Sequence, residues 1–234
     1  IGAYSEKQVM PEEKLVLVPD GISDEVASCI TLKGITAEYL LHRAYPLKKG
    51  DKVLYHAAAG ALGQILCPWA NALGAEVIGT VGSKAKEEIA KKNGCHHVIN
   101  YSEKNFVKEV EKIVGKDGID VVYDGVGAKT FKGSIETLKI RGMMVAFGNA
   151  SGYVDTLDIK KDINAKGLFF TRPSIAHYTV KREELVESAK KVFDAILAKK
   201  FVVEISKKYS LKDAAQAHKD LEARLLTGPA VIIP

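Results

Sequence analysis

The chain has 234 residues, of which 47% are apolar and 27% charged, a composition typical of soluble globular proteins with one or two domains. No apolar run is long enough to span a membrane, and a net charge of +5 is too small to indicate a nucleic-acid-binding protein. We therefore expect neither a membrane nor a nucleic acid as a partner. The three cysteines form no CxxC pair, which favours the reducing cytoplasm over a disulfide-bonded compartment.

The first predicted elements lie before Pro46. The segment KLVLVP, residues 14–19, is predicted to form a strand. A helix should begin after Ser23, a suitable N-cap residue, because Asp24 and Glu25 follow it in the first turn. A second helix is predicted over residues 36–45. It should end before Pro46, because the residue that precedes a proline disfavours helical backbone.

From Asp51 onward, short strand-like runs alternate with helical patterns. The predicted order is KVLYHA, 61–73, EVIGTV, 83–92, HVIN, 105–114, DVVYD, 129–138 and MMVAFG. This alternation predicts βαβ units, and hence an α/β fold with a doubly wound parallel sheet of the Rossmann type. Runs such as VLYHA and VVY have no polar face because parallel strands are buried on both sides.

After Thr171 the pattern changes. An amphipathic helix is predicted over residues 182–200, a strand at FVVEIS, a helix over 211–225 and a final strand at AVIIP. His218 shares the apolar face of the 211–225 helix with Leu221 and Leu225, so we interpret it as a packed core histidine.

The stretch HAAAGALG, residues 56–63, joins the first strand of the alternating series to a helix. One apolar helical face begins directly after it, at Leu62, Ile65, Leu66, Trp69 and Leu73. A helix N-terminus offers free N–H groups and partial positive charge, so a pyrophosphate can bind there. We expect Gly60 to take backbone angles closed to other residues and Gly63 to allow close helix packing, with alanine replacing the first glycine of GxGxxG. A tight β–α turn without a ligand is the alternative.

The end of the second strand indicates which dinucleotide binds. An NAD site usually has Asp or Glu there, about 20 residues past the loop, to bond the ribose hydroxyls. Here the segment reads GTVGSKAK, so that Gly82 and Ser83 occupy the place of the carboxylate and Lys84 and Lys86 follow. A hydroxyl and an ammonium suit a 2′-phosphate, which predicts NADPH. The alternative is that KAKEEIAKK is only a solvated lysine-rich helix, which explains the later lysines but not the missing acid.

Two further strand ends are predicted at the same edge of the sheet, where ligands of this fold bind. DGVG, residues 124–127, ends the fourth strand, and FGNAS, residues 147–151, ends the fifth. Glycines at these places allow a ligand to approach the backbone, although glycine after a strand is also ordinary turn chemistry.

Several motifs together resemble one family. These are HAAAGALG, GTVGSKAK, INY, VVYDGVG, MVAFGNASG, TRPS and AHKDLEARLLTGPAVIIP. In this order they resemble the NADPH:quinone oxidoreductases, the zeta-crystallin-like, zinc-free branch of the medium-chain dehydrogenase/reductase superfamily. The resemblance covers essentially the whole chain. It implies a Rossmann domain over residues 37–175, flanked by parts of a GroES-like catalytic domain over 1–36 and 176–234, with the N-terminal part of that catalytic domain expected upstream of Ile1.

The resemblance also assigns cofactor-binding residues. It places the pyrophosphate at Gly60, Ala61, Leu62 and Gly63. It places the 2′-phosphate and its ribose at Gly82, Ser83, Lys84, Ala85, Lys86, Tyr101 and Arg224. It places the nicotinamide half near Thr36, Tyr39, Val126, Phe147, Gly148, Asn149, Ala150, Pro173, Ser174 and Ile175. The catalytic residues stay unassigned, because most of the substrate pocket is expected in the upstream part.

No metal is expected. Related zinc alcohol dehydrogenases carry a cysteine ligand at the position that corresponds to Lys33, and an ammonium does not bind zinc. Cys29, Cys67 and Cys95 lack metal-ligand spacing, so we interpret them as buried structural residues.

The resemblance implies a metal-free enzyme that transfers hydride from NADPH to quinones or related electron-poor substrates. It also implies a homodimer joined edge to edge through strands near residues 143–172. Two alternatives remain open. One is an NADPH-binding module without turnover, in a crystallin-like, sensing or RNA-binding role, since fold alone does not fix function. The other is an enoyl or alkenal reductase of the same superfamily.

Overall fold

A six-stranded parallel sheet organises the chain, which the computed structural model describes over residues 2–223, 225–226 and 228–234. The strands are β1 (Lys52–His56), β2 (Glu76–Val81), β3 (His97–Asn100), β4 (Ile119–Asp124), β5 (Leu138–Ala146) and β6 (Phe169–Thr171). Their order across the sheet is β3-β2-β1-β4-β5-β6, and every pair is parallel. This is the strand order of the Rossmann fold, which confirms the predicted fold class.

The helices connect these strands and flank them. They are α1 (Asp24–Tyr39), α2 (Gly63–Ala72), α3 (Lys84–Lys92), α4 (Phe106–Val114), α5 (Phe131–Thr137), α6 (Ile175–Tyr178), α7 (Arg182–Leu197) and α8 (Ala214–Glu222). Ser23 caps α1 as predicted, because its hydroxyl accepts a hydrogen bond from the Val26 N–H at 3.3 Å. Within the described part of the chain, no helix combines the length and apolar character that crossing a membrane requires.

The two faces of the sheet have separate hydrophobic clusters. Along β1, Val53 and Tyr55 point into one cluster, while Leu54 points into the other. The first cluster is closed by α1, α2 and α7, and the second by α4 and α5. All three cysteines are buried in the first cluster without forming a disulfide. Burial on both faces explains why the strands read as continuous apolar runs.

The segment before α1 differs from the prediction. Residues 15–19 form no strand, because they find no pairing partner among the described residues and Leu17 is 93% exposed. The two predicted helices are instead one, since α1 runs unbroken past Thr36 and continues into a π-helical turn, Leu40–Ala44. Gly34 lies within α1 and against α7. A glycine is required there because an added Cβ would come within 2.5 Å of Val192 Cγ1.

The C-terminal part forms a small second sheet. Strand β7 (Lys207–Ser210) pairs in parallel with β8 (Ala230–Ile233), so the final strand is confirmed, whereas the strand predicted at FVVEIS is wrong. That segment is extended but unpaired until residue 206, where the Ser206 N–H bonds to the Pro229 carbonyl. α1 packs against both α7 and β8.

The interpretation of His218 as a core residue is wrong. His218 is exposed, and its Nε2 lies 3.0 Å from the Tyr4 hydroxyl. The buried residue of α8 is Asp220, which accepts hydrogen bonds from Lys207, Tyr209 and Gln216. A polar network, rather than the apolar stripe, therefore fixes which face of α8 turns inward.

The predicted domain boundaries both fall inside helices. The division at residues 36 and 37 lies within α1, and the division at 175 and 176 lies within α6. The division of the chain into 1–36, 37–175 and 176–234 stays a proposal.

Candidate functional site

The candidate site lies at the carboxyl edge of the six-stranded sheet. The strand order reverses between β1 and β4, and in doubly wound sheets the crevice for a ligand opens at that point. The loops that follow β1, β2, β4 and β5 all emerge at this edge, because parallel strands end on the same side.

The loop after β1 makes a tight turn around Ala57. Ala57 has a φ of 62°, in the left-handed region that non-glycine residues seldom adopt, whereas Gly60 has no positive φ. The expectation that Gly60 takes the special backbone angle is therefore wrong, because the turn places the strained position at one of the alanines that replace the first glycine. The Ala58 N–H bonds to the Thr80 carbonyl at 3.0 Å, which ties this loop to the end of β2.

Gly63 begins α2 in close contact with the same loop. A Cβ at this position would lie 2.3 Å from the Ala58 carbonyl oxygen, so only glycine fits. The first turn is anchored by the Gln64 N–H, which bonds to the Gly60 carbonyl. Among the described residues, the backbone N–H groups of Ala61 and Leu62 have no acceptor. They lie at the N-terminus of α2, where partial positive charge favours an anion.

At the end of β2, Gly82 lies beside Tyr101. A Cβ on Gly82 would be 2.6 Å from the Tyr101 hydroxyl, and the Tyr101 N–H bonds to the Val81 carbonyl at 3.0 Å. Ser83 is the N-cap of α3, yet its side chain caps no backbone N–H. The structure thus brings Gly82, Ser83 and Tyr101 together, as the resemblance implies, and leaves the serine hydroxyl available to a ligand.

The lysines of α3 divide into two groups. Lys91 pairs with Glu88, and Lys92 pairs with Glu204, both at the far end of the helix. Lys84 and Lys86 are exposed in the first turn and make no ion pair within the part of the chain that is described. The solvated-helix explanation therefore suits Lys91 and Lys92, whereas Lys84 and Lys86 can neutralise a phosphate beside Ser83. Ala85 is exposed between them.

The loops after β4 and β5 pack against each other. The Ala150 N–H bonds to the Gly125 carbonyl at 3.3 Å, and the Ser151 N–H bonds to the Val126 carbonyl at 2.7 Å. Gly148 approaches so closely that an added Cβ would lie 2.4 Å from the Gly125 oxygen. Val126, Gly148 and Asn149 are half-buried in this pair of loops and Ala150 is exposed, so their backbone lines the crevice.

Four aromatic side chains, which we call the aromatic base, lie at or next to the ends of β1, β5, α1 and α6. Phe147 lies nearly parallel to Tyr55, with 6.3 Å between ring centroids. Tyr39 stacks on Tyr178 at 4.5 Å, so the end of α1 is held against α6, directly after Pro173 and Ser174. Ile175 packs into the same cluster as these rings, whereas the Thr36 hydroxyl is already bonded to the Leu32 carbonyl within α1.

The buried phenols at this base stay neutral. Burial, reinforced by the neighbouring Tyr178 phenol, raises the pKa of Tyr39 to about 12. Burial also raises the pKa of Tyr55 well above its usual value. At neutral pH neither phenol carries charge, so these two residues add no charge beneath the site.

Sequence reasoning missed a buried polar network beneath the loops. His56, Thr80 and Asp124 are the last or next-to-last residues of β1, β2 and β4, and Ser134 of α5 joins them. All four are at most 1% exposed. Part of the signal was present in the sequence, because His56 and Asp124 each follow an apolar strand run and directly precede an alanine- or glycine-rich loop.

The arrangement fits a phosphorylated dinucleotide. Gly63 and Gly148 let α2 and the loop after β5 pack directly on the backbones of Ala58 and Gly125. Lys84 and Lys86, which make no ion pair among the described residues, supply positive charge where a 2′-phosphate is expected. Arg224, which the resemblance also assigns to that phosphate, lies outside the described residues. Lys33 lines a small cavity with Ala61 and His218, and the described residues contain no group of three or more His, Cys, Asp or Glu that could hold a metal.

Comparison with known proteins identifies the family. The model of a family described as zinc-binding dehydrogenase matches residues 61–197. A 2-haloacrylate reductase from a Burkholderia species is 45% identical over 237 residues, which cover 100% of this chain and 71% of the relative. Quinone oxidoreductase 1 from Escherichia coli (strain K12) is 43% identical and is matched over 100% of this chain and 72% of its own length.

Solved structures agree with this assignment. The crystal structure of Escherichia coli quinone oxidoreductase complexed with NADPH superimposes with a TM-score of 0.87 at 43% identity, covering 93% of this chain and 66% of that one. The chain therefore belongs to the zinc-binding dehydrogenase family, in the branch of the medium-chain dehydrogenase/reductase superfamily that contains the quinone oxidoreductases.

Proposed function

We propose that the protein is an NADPH-dependent quinone oxidoreductase that transfers hydride to quinones or related electron-poor substrates without a metal. The observation that carries this proposal is that Lys84 and Lys86, beside Ser83 at the end of β2, make no ion pair with any described residue. Similarity to quinone oxidoreductases along the whole chain supports it.

Different residues of the chain would bind different parts of the nucleotide. The amides at the start of α2 would receive the pyrophosphate, and Ser83, Lys84, Lys86 and Tyr101 would receive the phosphorylated ribose. When bound, NADPH supplies a hydride, so that the protein has to orient it and exclude water.

The aromatic base determines which chemistry the protein itself contributes. Phe147 and Tyr55 cover the end of the sheet with apolar surface, and Tyr39 stays protonated because the pKa of its phenol is raised to about 12. None of these groups is a base at neutral pH. A reduced quinone can take its protons from solvent, so the chemistry requires no general acid from them.

The test is a steady-state assay of the protein with NADPH and a small soluble quinone. We expect quinone-dependent oxidation of NADPH, no inhibition by a metal chelator, and much weaker activity with NADH. A 2-haloacrylate, tested in parallel, measures whether an electron-poor alkene is a better substrate. Tight binding of NADPH without turnover on either acceptor would favour a non-catalytic binding module.

The proposal extends to assembly and location. We infer a homodimer joined through the edge of the sheet near residues 143–172, because β6 pairs on one side only and Phe169 is 60% exposed there. Light scattering after size exclusion should give twice the chain mass, and a single-chain mass would contradict the inference. A cytoplasmic location is proposed from the scattered, reduced cysteines.

A further inference from the structure

Three neighbouring strands end in polar residues on one face of the sheet. In the parallel register His56 of β1 lies opposite Thr80 of β2, and Asp124 of β4 follows Tyr123, which lies opposite Tyr55. The residues two positions earlier, Leu54, Ile78 and Val122, belong to the hydrophobic cluster closed by α4 and α5. Side chains alternate along a strand, so all three polar groups point into that same face.

A chain of hydrogen bonds connects these groups. His56 Nδ1 lies 2.8 Å from the Thr80 hydroxyl, and His56 Nε2 lies 2.9 Å from the Ser134 hydroxyl. The Ser134 hydroxyl donates to Asp124 Oδ2 at 2.9 Å. The same hydroxyl also lies 2.9 Å from the Thr130 carbonyl, and with either acceptor its proton is not available to His56. His56 therefore donates from Nε2 to Ser134 and accepts from Thr80 at Nδ1. The geometry thus selects the Nε2–H tautomer of a neutral imidazole.

Asp124 extends the chain to the next loop. Its Oδ1 accepts hydrogen bonds from the N–H groups of Val126 and Gly127, both at 2.9 Å, and its carboxylate also accepts from the Thr130 hydroxyl. The same side chain therefore shapes the backbone immediately after β4, where the resemblance places a cofactor contact at Val126.

Apolar residues at these positions would avoid the free-energy cost of burying polar groups. Buried polar groups gain little stability compared with well-packed apolar side chains of similar size, and their main effect is to fix one arrangement. Each of the three strand members, His56, Thr80 and Asp124, is followed within two residues by a loop of the candidate site: the turn at Ala57, the Gly82–Ser83 step and the Gly125–Gly127 step. Fixing the members therefore fixes the distances between those loops.

We propose that His56 and Thr80 are positioning residues that set the spacing between the pyrophosphate turn and the 2′-phosphate step, and thereby the preference for NADPH over NADH. This inference rests on the proposed function, since it concerns the same nucleotide. Thr80 is the sensitive member, because it is two residues from Gly82 and three from Ser83. The backbone bond from Ala58 to Thr80 holds the two loops together, while the side-chain bond to His56 sets their angle.

The decisive variants are Thr80→Val and Thr80→Ser. Valine keeps the shape of threonine but removes the donor to His56 Nδ1, whereas serine keeps the hydroxyl. Dissociation constants for NADPH and NADH are measured by titration of nucleotide fluorescence. For Thr80→Val we expect the ratio of the two constants to fall about tenfold, with most of the loss in NADPH binding. Thr80→Ser should stay within about twofold of the parent ratio.

Thr137→Val is the matched control. Thr137 is also a buried threonine, but its hydroxyl bonds to the Ser134 backbone carbonyl within α5 rather than to the His56 ring. It should lower the unfolding free energy and leave the nucleotide ratio unchanged. An equal loss of NADPH and NADH affinity in Thr80→Val, or an unchanged ratio, would overturn the inference, because either result describes a residue that only supports the fold.

A ligand-free measurement keeps the inference testable if Thr80→Val does not fold. Imidazole nitrogen shifts in the parent protein should show His56 as the neutral Nε2–H tautomer, and detection of the Nδ1–H tautomer would contradict the chain. Failure of the proposed function looks different: a parent protein that prefers NADH or binds neither nucleotide would refute both. A parent that prefers NADPH, with Thr80→Val equally selective, would refute the positioning role alone.

Discussion

At the level of single residues, the proposed preference for NADPH depends on the charge at the end of β2. Gly82 and Ser83 place no carboxylate there, and Lys84 and Lys86 have no acidic partner within the described chain. An oppositely charged pair near a protein surface gains up to about 4 kcal/mol before screening and desolvation, so a single ammonium can discriminate a phosphate from a hydroxyl.

Replacing Lys86→Gln should weaken NADPH binding about tenfold and leave NADH binding nearly unchanged, because only NADPH has the extra phosphate. The measurement is the pair of dissociation constants at low and high salt, and the difference should shrink as salt rises. Lys92→Gln is the control on the same helix, since Lys92 is paired with Glu204. Equal effects of the two variants would refute the role of Lys86.

At the level of elements, the contact between the β1 turn and α2 shapes the proposed pyrophosphate site. Gly63 lies so close to Ala58 that the helix N-terminus and the turn form one rigid unit, and the amides of this unit keep their direction without a ligand. Such preorganisation lowers the entropic cost of binding.

Gly63→Ala should disrupt this unit, because the new Cβ would meet the Ala58 carbonyl at 2.3 Å and force the turn away from α2. We expect a loss of about 1–3 kcal/mol in the free energy of unfolding and at least about a tenfold loss in NADPH affinity. Denaturant unfolding and nucleotide titration measure the two effects.

Gly50→Ala is the control for that variant. It also adds one methyl group, but at a position before β1 with nothing within 4 Å and a φ of 89°. It should destabilise the fold by about 1 kcal/mol through backbone strain and leave NADPH affinity as it is. If Gly63→Ala binds NADPH as the parent does, the close contact has no bearing on the cofactor.

How far the sequence predicts these elements depends on what determines them. The βαβ series was predictable because the apolar runs of β1 to β5 carry their own periodicity. The strand at 14–19 was not, because a strand needs a partner that local sequence does not reveal. Likewise, the loops of the site follow from local motifs, whereas the His56 chain depends on the strand order that places β1 between β2 and β4. His218 was misassigned because the network around Asp220 outweighs the apolar stripe of α8.

At the level of the whole molecule, the pH dependence of stability follows from two histidines, the buried His56 and the half-buried His42. Burial lowers the pKa of His56 below its usual 6.5, although the nearby Asp124 carboxylate opposes the shift. Burial likewise lowers the pKa of His42, with Glu38 opposing it. Since the folded pKa is the lower one, the unfolded chain takes up these protons first as the pH falls.

The free energy of unfolding should therefore change little between about pH 7 and 8 and should decrease as the pH falls below 6.5, towards the folded pKa values of the histidines. For the buried His56 the decrease is at most about 1.4 kcal/mol per pH unit. Denaturant unfolding at several pH values measures the slope. His56→Gln should reduce the slope of unfolding free energy against pH. His42→Gln, measured separately, gives the contribution of His42 to the same slope. If the slope is unchanged in both variants, these two histidines do not cause the loss of stability at low pH.

Because all three cysteines are buried, the rate at which each is chemically modified measures how often the fold opens around it. Cys67 lies on α2 and Cys95 just before β3, while Cys29 is on α1, so the sulfhydryls sample three places in one cluster. Contact with Cys95 together with burial raises the pKa of Cys67, and burial raises that of Cys29, so the reactive thiolate is scarce while the chain is closed. An alkylating reagent can then modify these sites only when the surrounding helices separate. The order in which the three cysteines are modified would give the order in which the surrounding parts of the fold unfold.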